Sequence, residues 1–406
     1  MKFIVIGITD APHPFFPPVV LEIIREGRVF SGGRRHHEIV SPLLPLDAEW
    51  IDITVPLDAV FEQYTRHDAD IIVFASGDPL FFGFANTLKR QLPEAEIVLF
   101  PSFNSLQMLA HRLVMPYHDM RVVSLTGRPW PAFDQALIEQ VAKIGVLTDR
   151  EHTPSAIARR MLDYGYDYYT MHVGAHLGNP LQEQVVSLTL EEAVHTDFGH
   201  PNCLILSAEK MPPSKPFGIP DHQFDLLDGR EKMITKMPIR LLTLQALGLP
   251  GKHVFWDIGF CTGSVSIEAR LKFPHLQVVA FEIRPECEEL IRQNSQRFGA
   301  PGIDVHIGDF LQTNTDDLPQ PDAVFIGGHG GRLKEIMAKV CRHLLPGGCI
   351  VTNSVSSPVV QQMTDRPSSR DLFHEASREL CLTEDQPTHI QLNDYNPIDI
   401  LKCRKK

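Results

Sequence analysis

The stretch Val254–Ser264, VFWDIGFCTGS, constrains this 406-residue chain more than any other. An apolar run, Val254-Phe255-Trp256, ends in Asp257. A glycine-bearing turn follows, and then SVSIEA, which reads as a helix. Strand, glycine turn and helix in that order make the usual cradle for a nucleoside-containing cofactor. Glycines let the backbone approach the ligand, and the helix N-terminus presents free N–H groups. A second apolar run, Val278–Phe281, ends in Glu282. A carboxylate there can accept from both hydroxyls of a ribose. The plainer reading is a buried βαβ unit whose glycines only make the turn. The acids at both strand ends, Asp257 and Glu282, weigh against it.

Two cofactors fit such a cradle, NAD and S-adenosylmethionine (SAM). The dinucleotide pattern G-x-G-x-x-G is absent, and D-x-G-x-C-x-G stands in its place through Asp257, Gly259, Cys261 and Gly263. That resembles motif I of class I SAM methyltransferases, with Cys261 in the place of the middle glycine. SAM carries no pyrophosphate and demands less of the glycines, so SAM is favoured. Thr262 and Ser264 in the turn, Asp309 after the strand Ile303–Ile307, and Gly327 after the strand Ala323–Ile326 complete the expected cofactor contacts, with Asp309 facing an adenine amino group.

A chain of this length holds two or three domains. Its 43% apolar and 22% charged residues are ordinary for a globular protein. No apolar run approaches a membrane span. Met1–Gly7 reads as a strand entering a glycine turn, without the cleavage region of a signal peptide, so the cytoplasm is the expected location. The net charge of −12, with no basic run beyond the short Lys402–Lys406 tail, argues against a broad nucleic-acid surface. Seven scattered cysteines without a C-x-x-C pair read as free thiols. No histidine pair carries metal-ligand spacing, since the adjacent His36 and His37 diverge on any regular element. No metal is expected.

Residues 1–115 alternate strands and helices: strands Phe3–Ile8, Arg28–Gly33, Ile71–Ala75 and Ile97–Phe100, with helices over Pro18–Glu26 and from about Ser105 to Leu113. That pattern implies a mainly parallel sheet with ligands at the carboxyl ends of its strands. Two strand-end loops stand out. Ser76–Gly83 joins a glycine, an acid and a proline, and Gly32–His37 reads as a turn offering up to four cationic groups. Each also reads as a turn without chemistry. Residues 116–210 form a second α/β lobe, with strands at Val122–Thr126, Ile144–Thr148, Tyr168–Val173, Gln184–Ser187 and Asn202–Ser207. Met211–Phe224, MPPSKPFGIPDHQF, is the clearest boundary, with four prolines, a glycine and no periodicity. The division expected is therefore 1–210, a linker over 211–228, and 229–406. The last part opens with a helix Pro238–Leu247, N-capped by Thr235, and closes with strands near Leu380–Glu384 and Asp399–Lys402 in a seven-stranded order.

These residues together resemble a family. FSGGRRHHE, ASGDPLFFG, the PSFNS loop and SLTGR resemble the tetrapyrrole methylase pattern. FGIPDHQF, MITKMPIRLL, VFWDIGFCTGSVSIEA, GDFLQ, FIGGHGG and LLPGGCIVTNSV resemble a methylating and decarboxylating module. In that order, and over nearly the whole chain, they are similar to the fused precorrin-6Y C5,15-methyltransferases (decarboxylating) of cobalamin biosynthesis. The family usually opens with G-x-G-P-G, whereas this chain has Gly7-Ile8-Thr9-Asp10-Ala11 and keeps only the first glycine.

The resemblance implies an α/β chain, with a two-lobed tetrapyrrole methylase fold followed by a Rossmann-like class I methyltransferase domain. It implies a SAM-dependent enzyme that methylates a precorrin or cobalt-precorrin at C5 and C15 and decarboxylates the ring C acetate. A second SAM is expected against Gly77, Asp78, Leu80, Ser105 and Thr126. The substrate is rich in carboxylates, which calls for Arg and Lys. Arg34 and Arg35 are the choices in the first half, and Lys236, Arg240 and Arg332 in the second. His329 and Asn353 complete the expected catalytic cleft, with His329 either protonating the carbon left by carbon dioxide or binding a propionate. Self-association is implied as well. Two other readings stay open: a methyltransferase acting on RNA or protein, and a first half kept only as a docking scaffold.

Overall fold

The computed structural model describes residues 1–213, 215, 217–230, 233–355, 367–392 and 396–406. The chain divides into two compact units. One comprises Met1–Arg128, Ala142–Arg160 and Asp167–Met211, and the other Pro129–Val141, Met161–Tyr166 and Pro212–Lys406. The division at residues 211 and 212 falls at the start of the proline-rich segment.

The first unit holds two five-stranded sheets. The strands of the first are β1 (Lys2–Ile8), β2 (Val29–Gly32), β3 (Glu49–Asp52), β4 (Ile71–Ser76) and β5 (Glu96–Phe100), in the order β3-β2-β4-β1-β5. Every pairing is parallel. Helices α1 (Pro18–Glu26), α2 (Arg34–Val40), α3 (Asp58–Tyr64), α4 (Phe84–Gln91) and α5 (Ser105–Arg112) connect them. Phe3, Val5, Ile71 and Val73 pack into one buried cluster, and Ile6, Ile8, Ile72 and Phe74 into another. A sheet covered on both faces needs such unbroken apolar strands. β3 and α3 lie where the sequence pattern shows no element. The expected cationic turn after β2 is the helix α2, whose N-cap is Gly33.

The second sheet is mixed. Its strands are β6 (Arg121–Ser124), β7 (Lys143–Leu147), β8 (Thr170–Ala175), β9 (Gln184–Leu188) and β10 (Asn202–Ser207), in the order β6-β7-β10-β8-β9. β10 runs antiparallel to both neighbours. Helices α6 (Pro131–Ile138), α7 (Pro154–Asp163) and α8 (Leu190–Val194) lie along this stretch of chain.

The second unit is built on one eight-stranded sheet. β11 (Val254–Ile258), β12 (Gln277–Glu282), β13 (Ile303–Ile307), β14 (Ala323–Ile326) and β15 (Cys349–Val355) are parallel. β16 (Thr383–Glu384) and β17 (Thr388–Ile390) pair antiparallel with β18 (Ile398–Arg404), which itself runs antiparallel to β15. The order β13-β12-β11-β14-β15-β18-β16 adds one strand, β17, to the expected seven. α9 (Met237–Leu247), α10 (Ser264–Lys272), α11 (Glu286–Phe298), α12 (Leu333–His343) and α13 (Ser369–Glu379) complete it. The pleat sorts the core. Phe255, Val278 and Phe325 join the cluster with α9 and α10, while Trp256, Val279 and Val324 face α12 and α13. Each such side chain, fully buried, contributes on the order of 2–3 kcal/mol.

The proline-rich segment is not a free tether. Ile219, Phe224 and Leu227 are buried. The backbone N–H groups of Gly218 and Ile219 donate to Glu268 Oε1 at 2.5 and 2.9 Å. Ser214 and Pro216 of this segment lie outside the described residues.

Candidate functional site

At the carboxyl end of β11 the chain turns through Gly259, Cys261 and Gly263, all at positive φ. Gly259 is required by contact: a Cβ there would lie 2.5 Å from the Gly328 nitrogen. Gly263 caps α10 in the left-handed region, and a Cβ would run into Ile291. Cys261, standing for the usual middle glycine, holds φ 49 without glycine's freedom. That conformation costs a non-glycine residue roughly 1–2 kcal/mol. Thr262 and Ser264 are buried in the same turn, and Thr262 O accepts from Asn294 Nδ2 at 3.0 Å.

Asp257 is 1% exposed. Its Oδ2 accepts from Ser266 Oγ at 2.5 Å, while Oδ1 has no hydrogen-bond partner among the described residues. Burial, and to a lesser degree the Glu282 charge, raise its pKa to about 7. A buried acceptor left open beside a glycine turn suits an N–H or ammonium donor of a cofactor. The residues present therefore fit the SAM that the resemblance implies.

Glu282 meets a different situation. Five N–H donors converge on it: the backbones of Cys261, Ile283 and Arg284, and Arg284 Nε and Nη2, at 2.9–3.2 Å. A carboxylate offers about four lone-pair sites. The protein's own donors therefore saturate Glu282, and the one of them on a movable, partly exposed side chain is the Arg284 guanidinium, 33% exposed. Arg284 was not singled out from sequence. Its only signal there is its place two residues beyond the strand-end acid.

The β14 loop closes against the turn, with Gly327 N donating to Ile258 O at 2.9 Å. His329 Nδ1 accepts from Gly331 N at 3.1 Å and Nε2 lies 2.9 Å from Ser369 Oγ. That pattern places the imidazole proton on Nε2, directed at Ser369. Burial lowers the pKa of His329. Asp309 and Arg332 pair with each other through two hydrogen bonds of 3.0 and 3.1 Å, and Arg332 holds the Asp309 carboxyl below its usual range. Asn353 exchanges hydrogen bonds with Thr243 of α9.

Arg240 corrects the sequence reading. It was expected to meet substrate carboxylates, yet its side chain is fully buried. Nε pairs with Glu268 Oε2, Nη1 donates to Asp221 and to Thr235 O at 3.1 and 2.7 Å, and Nη2 donates to Ile219 O. Its charge holds the unit together and meets no cleft. Thr235 likewise supplies its carbonyl and not an N-cap, a position taken by Lys236. Lys236 Nζ lies 4.0 Å from Asp221.

The first unit has its own site, a cavity of about 510 Å³ at the strand ends. Three backbones meet there. A Cβ on Gly7 would collide with the Gly77 carbonyl, and one on Gly77 would lie 2.8 Å from Asn104 Cα. This explains why the first glycine of the altered Gly7–Ala11 loop is kept. Gly77, Ser105, Thr126 and Arg35 line the cavity, as do Phe81, Phe82 and Phe103. Arg34, Asp78 and Leu80 are not among the lining residues. Arg34 points to solvent beside Glu38, and Asp78 Oδ1 accepts from Leu80 N at 2.9 Å. Asp10, from the altered loop, also lines the cavity and pairs with Arg35 at 3.0 Å and with His176 at 3.2 Å. Among the described residues no cluster of His, Cys, Asp and Glu is arranged to hold a metal, and no helix is long and apolar enough to cross a membrane.

Comparison with known proteins gives two family matches: Tetrapyrrole (Corrin/Porphyrin) Methylases over residues 16–194, and Precorrin methyltransferase domain over residues 228–369. A Sinorhizobium protein named precorrin-6Y C(5,15)-methyltransferase (decarboxylating) is 32% identical over 366 residues, 89% of this chain and 86% of that protein. A Salmonella typhimurium cobalt-precorrin-6B C(15)-methyltransferase (decarboxylating) is 42% identical over 125 residues, 31% of this chain and 64% of that protein. A cobalt-precorrin-7 C(5)-methyltransferase of the same species is 26% identical over 195 residues, 48% of this chain and 93% of that protein.

Proposed function

We propose that this chain, which belongs to the precorrin-6Y C5,15-methyltransferase (decarboxylating) family, is a SAM-dependent enzyme that methylates a precorrin or cobalt-precorrin at C5 and C15 and releases the ring C acetate carboxyl as carbon dioxide. One observation carries the reading: a relative named for both steps is 32% identical over 89% of this chain, a length that spans both units.

SAM supplies an activated methyl group when bound. In the second unit Asp257, Gly259, Thr262, Gly263, Ser264, Glu282 and Gly327 hold it, with Asp309 at the adenine. In the first, Gly77, Ser105 and Thr126 do so. The reduced macrocycle is electron-rich at its meso carbons, so the protein mainly aligns the reactants. The electron pair released with carbon dioxide enters the conjugated ring, and a proton closes the methyl group. Phe81, Phe82 and Phe103 give the first cavity an aromatic wall that suits a conjugated ring. Arg35 in the first unit, and Lys236 and Arg332 in the second, face the substrate carboxylates. Asn353 and His329 border the second cleft. Both ring nitrogens of His329 are engaged, with Gly331 and Ser369, which weighs against its acting as the free acid that closes the methyl group.

The relatives support this reading over methylation of RNA or protein, and the acidic net charge of −12 agrees. We place the enzyme in the cytoplasm as a homo-oligomer. The test is titration calorimetry of the full chain with SAM, followed by turnover of the precorrin with methyl transfer and carbon dioxide measured separately. Two SAM equivalents and both activities are expected. One equivalent with no C5 transfer establishes the first unit as a scaffold.

A further inference from the structure

At the end of β4, Ser76 Oγ sits 3.0 Å from Arg35 Nη2 and 3.0 Å from His36 Nε2. The tautomer of His36 follows from its other nitrogen, because Nδ1 accepts from the Gly33 backbone N–H at 3.3 Å at the start of α2. The imidazole proton is therefore on Nε2 and points at Ser76. Burial, reinforced by the Arg35 charge, lowers the pKa of His36 to about 4, so the ring is neutral near pH 7. Arg35 is held in place from behind by Asp10 at 3.0 Å.

Ser76 Oγ thus faces two N–H donors, Arg35 Nη2 and His36 Nε2, the imidazole also hydrogen-bonding the Phe74 backbone. The proton of Ser76 itself has no acceptor among the described residues, and Ser76 lines the cavity. One of the two donors is charged, and hydrogen bonds received at an oxygen polarise its O–H. The hydroxyl is a donor awaiting an acceptor. Ser76 is exposed and the Arg35 side chain is 37% exposed, which puts the pair at the mouth of the cavity, where the arms of a ring lying inside would project.

We propose that the Ser76 hydroxyl donates to a carboxylate arm of the macrocycle and so sets the orientation of the ring for methyl transfer in the first unit. This rests on reading that unit as the C5-methylating one. The methionine carboxylate of SAM has the same chemistry, and the experiment separates the two. Full-length Ser76→Ala and Ser76→Thr are compared with the wild type for C5 transfer to the precorrin, together with SAM titrations. Loss of a hydrogen bond to a charged group predicts a KM for the macrocycle raised about tenfold in Ser76→Ala. SAM affinity stays within twofold, and Ser76→Thr, which keeps a hydroxyl, restores the KM. An unchanged macrocycle KM in Ser76→Ala, or a weakened SAM affinity in its place, overturns the assignment. A wild-type chain without C5 transfer overturns the reading of the unit and this assignment with it.

Discussion

Glu282→Gln is the most informative perturbation of the second unit. The carboxylate is fixed by three backbone N–H groups and by the Arg284 guanidinium. The backbone donors belong to the fold, whereas the partly exposed guanidinium can leave. On the proposed reading, an arriving ribose exchanges the Arg284 pair for two hydroxyl donors. Each hydrogen bond to a charged group contributes about 1.5–3 kcal/mol, and a partly exposed ion pair of this kind about 0–1 kcal/mol. After that exchange, the carboxylate is left contributing at least about 2 kcal/mol to SAM binding, or roughly thirtyfold or more in affinity. Glu282→Gln removes the charge at nearly constant shape. Titration calorimetry of the full chain should show one SAM site weakened by that factor, with the other unchanged as an internal control. Arg284→Ala moves affinity the other way, by at most about fivefold, because it removes the competitor. A folded Glu282→Gln chain whose two SAM affinities both match the wild type refutes the argument, and Arg284→Ala that weakens binding refutes the exchange.

Arg240→Met breaks a fully buried ion pair and should cost about 3–5 kcal/mol of stability in chemical denaturation, with SAM affinity of the folded protein little changed. Intact stability with lost decarboxylation would return Arg240 to the cleft. Asp257 is expected to make the SAM-free second unit less stable as pH rises. Its folded pKa of about 7 lies above the ordinary aspartate value of 3.8, so the protonated form is favoured by folding. That stabilisation is complete below pH 4 and is lost as pH climbs through 7. Asp257→Asn should therefore gain stability relative to wild type at pH 8 compared with pH 5, read from denaturation midpoints. An identical difference at both pH values counts against the shift.

What could be read from sequence follows from burial. β14 has the expected bounds, β12 ends at Glu282 and β11 runs one residue past Asp257, because parallel strands covered on both faces must be unbroken apolar runs. β3 escaped for the opposite reason. Its sequence EWID sets only two apolar residues between two acids at a sheet edge, which reads as loop. α2 was hidden because RRHH after two glycines looks like a solvated turn, and only the Gly33 to His36 cap contact reveals the helix. Arg240 misled because a lone arginine in sequence is expected at a surface. Its partner Glu268 lies on another helix, and nothing in the spacing announces the pair. The Arg284 clamp on Glu282 depends on a side chain folding back over its own strand end, which no residue pattern encodes.

Glu268 ties together things that are far apart in the chain. It sits on α10, the helix that begins at the cofactor turn, and with one carboxylate it holds Arg240 and the backbone of Gly218 and Ile219. The smallest piece of chain able to stand as the second unit therefore starts ahead of Gly218. Cut at residue 229, α10 would keep its turn and lose its anchor. Glu268 Oε1 would face an emptied groove where Ile219 and Phe224 had been, and Arg240 would lose Asp221 and the Ile219 carbonyl together. A stretch rich in proline, which looks like spacer, is the outer wall of the helix on which the cofactor turn rests.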